Sequence, residues 1–92
     1  MKVNFFATLR DITGQKTVEF ENAEGSTVGH LVEAVIRRYP SMRDVLLNQE
    51  GELYGHVHIF INGRDVPFLE NKMETIIKPS DSVNIFPAVG GG

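Results

Sequence analysis

Residues 2–9 alternate strictly: Val3, Phe5, Ala7 and Leu9 fall on one face and Lys2, Asn4, Phe6 and Thr8 on the other. A period of two predicts a strand with one buried face. Residues 11–15, which include Gly14, predict a turn. Residues 16–21 alternate again, with Val18 and Phe20 inward, so the first two strands read as a hairpin. Residues 22–25 carry loop chemistry. The pattern then changes period. Val28, Leu31, Val32, Val35, Ile36 and Tyr39 mark one face of an α-helix. Ser26 or Thr27 is its predicted N-cap, because a hydroxyl there accepts an otherwise unpaired backbone N–H. Arg37 and Arg38 sit in the last turn, where the helix dipole favours cations. Pro40 restricts Tyr39 and ends the helix.

Residues 42–47 predict one short helical turn and residues 48–55 a polar loop. Residues 56–61 return to period two, with Val57, Ile59 and Ile61 inward and His56, His58 and Phe60 outward. Asn62-Gly63 is a two-residue hairpin signal, so residues 64–68 predict the return strand. Residues 69–77 are irregular, with Met73, Ile76 and Ile77 expected as core plugs. After a turn at 78–81, residues 82–86 form the last strand, with Val83 and Ile85 inward. Pro87 donates no further ladder bond. The expected domain therefore spans residues 1–87, with 88–92 as a free C-terminal glycine tail. The element order is strand, strand, helix, strand, strand, strand. That predicts a two-layer α+β fold, a mixed sheet with one main helix packed on one face.

Composition narrows the functional classes. A chain of 92 residues makes one small domain, with no room for a substrate domain beside a cofactor domain. The absence of cysteine excludes a disulfide scaffold, a thiolate metal site and a cysteine nucleophile. A formal charge of -3, without a basic stripe from Lys2, Arg10 and Lys16, argues against a nucleic-acid partner. The apolar run at the N-terminus is too short for a signal peptide or a membrane span, so the expected location is the cytoplasm, with no membrane partner. Nine glycines are present, and three of them close the chain as Gly90-Gly91-Gly92.

Several chemical signals dissolve on inspection. His56 and His58 share a strand face, but no third ligand is positioned for a metal, since His30 lies on the helix. Gly25 and Gly29 lack the Gly-Lys-Ser/Thr of a phosphate loop. Asp44, Glu50, Glu52, Asp65 and Glu70 show no paired-carboxylate logic and read as loop charge. Ser26 and Ser80 suit capping and turn roles. No catalytic residue, metal site or bound cofactor is expected.

Four features together resemble a known family. They are the element order ββαβββ, the helix start Ser26-Thr27-Val28-Gly29-His30-Leu31, the hairpin Ile61-Asn62-Gly63-Arg64, and the ending from Asp81 through Ile85-Phe86-Pro87 to Gly92. The chain resembles the ubiquitin-like β-grasp family over nearly its whole length. Its nearest branch is the small subunit of molybdopterin synthase and the small archaeal modifier proteins. The ending is the most specific part, and the loop Gly51-Glu52-Leu53-Tyr54-Gly55-His56 resembles the archaeal modifiers in particular. One residue departs from the pattern: Gly90 stands where the family usually has a small residue other than glycine. That departure bears on which activating enzyme accepts the tail.

The resemblance implies a chemistry. An E1-like enzyme spends ATP to adenylate the carboxylate of Gly92. The adenylate becomes a thiocarboxylate, for molybdopterin or tRNA thiolation, or an isopeptide on lysines of other proteins. The chain is then a carrier and not an enzyme. Glycine suits this role because, lacking Cβ, Gly90, Gly91 and Gly92 fit a narrow channel and expose the carbonyl. Five residues extend about 17 Å, enough to reach into a partner. A bare triple glycine is also compatible with a plain tail.

In the β-grasp sheet the last strand lies between the first and third. Phe6, Phe60 and Phe86, all on the non-helix face, would then be neighbours. An exposed aromatic patch is expected to dock partners, here the activating enzyme and the large subunit of molybdopterin synthase. Arg10 is expected at its rim, and Pro87 fixes the direction in which the tail leaves. The alternative is a non-covalent ubiquitin-like interaction module that uses the sheet face alone. A small RNA-binding β-grasp domain is disfavoured by charge.

Overall fold

The computed structural model describes residues 1–21 and 25–87. These residues form β1 (Lys2–Phe5), α1 (Thr8–Thr13), β2 (Thr17–Glu19), α2 (Val28–Arg38), α3 (Arg43–Leu46), β3 (His58–Ile61), β4 (Arg64–Asp65) and β5 (Val83–Phe86). Short 3-10 turns occupy Pro40–Met42, Val66–Phe68 and Lys72–Glu74. The expected tail, 88–92, and most of the expected loop, 22–24, lie outside the described residues.

The strands form one mixed sheet in the order β2-β1-β5-β3-β4. β5 runs parallel to β1 and antiparallel to β3, and each hairpin partner lies outside. This is the ubiquitin-like β-grasp arrangement. α2 covers one face. Its buried Val28, Leu31, Val32 and Val35 meet Val3, Phe5, Val18, Phe20, Ile59, Ile61, Val83 and Ile85 from the sheet. Full burial of a side chain of this kind contributes about 1.5–3 kcal/mol, so this interface is the main source of stability.

Local chemistry sets the ends of α2. Thr27 is the N-cap: its Oγ1 accepts the His30 N–H at 3.2 Å, and its own N–H donates to His30 Nδ1 at 3.1 Å. His30 thus completes a reciprocal capping box. The segment before β5 braces the same end, with the Val28 N–H donating to the Thr75 carbonyl and the Ile77 N–H to the Ser26 carbonyl. At the other end the Arg38 guanidinium donates to the Glu19 carbonyl at 2.8 Å and lies over the Phe20 ring. Pro40 starts a 3-10 turn where the helix stops.

The structure corrects five boundaries. The first strand ends at Phe5, not residue 9, because Ala7 takes φ 52 and ψ -129 and turns the chain into α1. Leu9 is buried as expected, but it reaches the core from a helix. The expected turn at 11–15 is the end of α1, closed by Gly14 in the left-handed region at φ 77. The second strand is three residues, Thr17–Glu19. The third begins at His58 and not at residue 56, since a turn in which the Val57 N–H donates to the Tyr54 carbonyl precedes it. The return strand is only Arg64–Asp65, because Pro67 removes a donor and the chain coils into a 3-10 turn. Among the three expected plugs, Ile77 is buried and Met73 packs against the core, but Ile76 is 59% exposed. Ile76 bridges to Thr27 through its backbone, which leaves its side chain outside. The Asn62-Gly63 turn is as expected, with φ 53 and 84.

Ala7 is a non-glycine residue in a region glycine prefers, a strain of about 1–3 kcal/mol. Ala7→Gly removes it at an entropic cost below about 1 kcal/mol. The variant is expected to gain about 1 kcal/mol in urea unfolding, with an unchanged m-value.

Candidate docking face

The sheet face turned away from α2 is built from every second strand position, even-numbered in β1, β3 and β5 and odd-numbered in β2 and β4, because side chains alternate across a strand. Register aligns these positions into rows. One row runs across all five strands: Thr17, Asn4, Asn84, Phe60 and Asp65. The next row, toward the end of β5 where residue 87 leaves the sheet, holds Phe86 opposite His58, with Phe6 on the far side of Phe86.

Phe6, Phe86 and Phe60 meet, as alternation combined with the β-grasp strand order implied. Phe6 and Phe86 stack with centroids 4.2 Å apart and planes 9° apart. Phe60 meets Phe86 edge-on at 5.5 Å and 89°. Each ring is half-buried and not fully solvated, because the three cover one another. The large apolar side chains most open to solvent are instead Phe68, at 77%, and Ile76. Pro87 is buried directly after Phe86. Arg10 is exposed in α1. The cation on the rings is Lys16, whose Nζ lies 5.4 Å from the Phe6 centroid. Gly90, Gly91 and Gly92 fall outside the described residues.

Polar contacts flank the rings. Thr17 Oγ1 donates to Asn4 Oδ1 at 2.7 Å, and Asn4 Nδ2 donates to Asn84 Oδ1 at 2.9 Å, a chain that ties β2, β1 and β5 together. On the other side His58 Nδ1 lies 2.7 Å from Asp65 Oδ2. The His58 ring also tilts against Phe60 at 6.1 Å. Glu19, on the edge strand, is held below the usual carboxylate range by the N-terminal ammonium of Met1, which donates to it at 2.8 Å.

His56 and His58 do not act together. His56 stacks on Tyr54 at 4.8 Å, while His58 pairs with Asp65. Among the described residues no group of three or more histidine or acidic side chains is placed to hold a metal, and no helix is long and apolar enough to cross a membrane. The His58–Asp65 pair was legible in principle. A two-residue turn at 62–63 sets Phe60 opposite Asp65, which makes His58 and Asp65 diagonal neighbours on one face. The Asn4–Asn84 contact carries no such signal, because nothing local sets the register of a parallel pair 80 residues apart.

Comparison with known proteins gives a consistent result. A model described as the ThiS family matches residues 3–92. Small archaeal modifier protein 3 of Haloferax volcanii is 34% identical over 92 residues, covering 100% of this chain and 98% of that protein. Sulfur carrier protein CysO of Mycobacterium tuberculosis is 36% identical over 81 residues, 86% of this chain and 83% of that protein. Among solved structures, a chain of the Amycolatopsis orientalis BexX/CysO complex aligns with a TM-score of 0.79 at 33% identity, covering 99% of this chain and 98% of that one.

Two substitutions measure what the face contributes to stability. Asn4→Ala removes both bonds of the Thr17–Asn4–Asn84 chain and is expected to cost about 1–2 kcal/mol. Phe60→Ser, at a half-buried ring, is expected to cost about as much, well below the 3–5 kcal/mol of a core phenylalanine. Urea unfolding of both variants checks these values.

Proposed function

The chain belongs to the ThiS family, and on that premise we propose that it is a ubiquitin-like carrier whose reactive group is the carboxylate of Gly92. A carboxylate is ionised at cellular pH and is a poor electrophile. An E1-like enzyme makes it reactive: the carboxylate oxygen attacks the α-phosphorus of ATP, pyrophosphate leaves, and a mixed anhydride with AMP remains. A sulfide-level nucleophile that displaces AMP yields a thiocarboxylate. A lysine amine, directly or after acyl transfer, yields an isopeptide. This chain supplies no catalytic group and holds no cofactor in either route; ATP belongs to the activating enzyme. The work takes place in the cytoplasm.

The observation that carries this reading is the position of β5. The strand lies in the middle of the sheet and ends with Phe86 between Phe6 and Phe60, so the last described residue, Pro87, follows directly on the aromatic row. A partner that covers those rings receives the tail in the same encounter. The relatives support both fates of the adenylate, since one is called a modifier and another a sulfur carrier. The BexX/CysO complex is a precedent for a relative of this fold bound to a partner protein. The thiocarboxylate would serve molybdopterin synthesis, beside the large subunit of molybdopterin synthase, or tRNA thiolation. The isopeptide would mark lysines of other proteins.

Two experiments test the reading. Deletion of Gly91 and Gly92 is expected to abolish ATP-dependent adducts in the native host lysate. Intact-mass spectrometry of the native protein should show one oxygen exchanged for sulfur, or Gly-Gly remnants should appear on lysines elsewhere. Unchanged biological activity without the two glycines would instead favour the non-covalent module. Separately, Phe60→Asp is expected to lower kcat/KM for adenylation at least about tenfold, as loss of a buried interface anchor does, while circular dichroism stays native. A variant that unfolds, with no loss specific to the enzyme reaction, would sink the docking role.

A further inference from the structure

The docking face carries one polar arrangement that folding does not require. Asp65 sits in a two-residue edge strand, yet its side chain is only 12% exposed. Its Oδ1 is buried and has no hydrogen-bond partner. Its Oδ2 has one, His58 Nδ1 at 2.7 Å. A largely buried carboxylate with an unpaired oxygen is costly. An apolar residue would serve a short hairpin at less cost. The His58 ring, by contrast, is 42% exposed, and among the described residues its second nitrogen, Nε2, has no partner. It stands in the row of Phe86 and leans on Phe60. The open nitrogen therefore belongs to the same surface as the rings.

The chemistry of the pair fixes what that nitrogen offers. An ionised carboxylate only accepts hydrogen bonds, so Asp65 holds the proton of a neutral imidazole on Nδ1 and leaves a lone pair on Nε2. With the imidazole neutral and the carboxylate ionised, the two side chains together carry one negative charge and present one directed acceptor. Contacts among aromatic rings are weakly directional and accept many apolar surfaces. A directed acceptor beside them does not, because a partner without the matching donor leaves Nε2 and the carboxylate buried and unpaired.

Resting on the docking reading above, we propose that His58 is the specificity determinant of this face, set in its Nδ1–H tautomer by Asp65 as a positioning residue, and that the partner it selects presents a cationic N–H donor of the arginine or lysine kind beside an apolar pocket for Phe60 and Phe86. The partner is the activating enzyme. The donor bonds to Nε2, and its charge answers that of Asp65.

Two measurements test this. In the free protein, nitrogen-15 spectra of labelled histidine at about pH 9, above the ordinary range of histidine titration, are expected to show His58 protonated on Nδ1 and bare on Nε2. In Asp65→Asn that preference should weaken. A wild-type ring protonated mainly on Nε2 overturns the proposal. In ATP–pyrophosphate exchange with the host E1-like enzyme that adenylates this chain, His58→Phe keeps a ring without the acceptor. It is expected to raise the KM for the carrier about tenfold at unchanged kcat, the effect of one hydrogen bond to a charged group. His58→Gln, whose amide oxygen reaches the position of Nε2, should recover most of the loss. Phe60→Ser in the same assay separates the two ideas. If Phe60→Ser raises KM and His58→Phe does not, this inference fails and the docking face stands. If Phe60→Ser has no effect, both fail.

Discussion

β5 is hydrogen-bonded on both sides, to β1 in parallel and to β3 in antiparallel, and everything else in the molecule is arranged around that fact. Without β5 the two hairpins share no backbone bonds, and the strands under α2 fall into two pairs. With it, Val83 and Ile85 complete the layer beneath the helix, while Asn84 and Phe86 complete the opposite face. The last strand of the fold is also the one that leads to the glycines. The strand that joins the two hairpins is thus also the one that precedes the glycines in sequence. Its register is held at both ends: at the start by Asn62, whose side chain bonds Asp81 and the Ser82 N–H, and at the end by the Phe6–Phe86 stack.

Alternation was the most informative property of the chain. It placed Val3, Phe5, Ile59, Ile61, Val83 and Ile85 inside and each of the three phenylalanines on the outer face. The helix was equally plain, because an apolar stripe, a hydroxyl cap and a following proline all agree. What escaped was set by backbone geometry or by contacts distant in sequence. The alternation through Leu9 is compatible with a strand, and no side-chain pattern reports that Ala7 has a positive φ. The cap role of His30 needed the exact helix start. Ile76 and Ile77 are equally apolar, and only the bridge to Thr27 decides which of them faces in. The strand order came from resemblance and not from local pattern.

The missing cysteine acquires a meaning at this point. A sulfur carrier needs no thiol of its own if the sulfur rides on a terminal carbonyl and a partner supplies it. On that reading the body must stay folded and offer a surface to the partner.

Because side chains alternate with a period of two, a slip of one residue in the pairing of β5 would turn Phe86 into the core and Ile85 out to solvent. The same slip would expose Val83. A sheet with one buried face therefore protects its outer face too: any register that spoils the outer aromatic row also spoils the core, at about 1.5–3 kcal/mol for each buried side chain. The aromatic patch needs no separate device to keep Phe6, Phe60 and Phe86 in contact, since the apolar residues between them already forbid the alternatives. What the core cannot specify is direction, because apolar contacts hold a face in place without choosing who meets it. That choice falls to polar groups at the margin of the rings, where Asp65 accepts burial and His58 remains open.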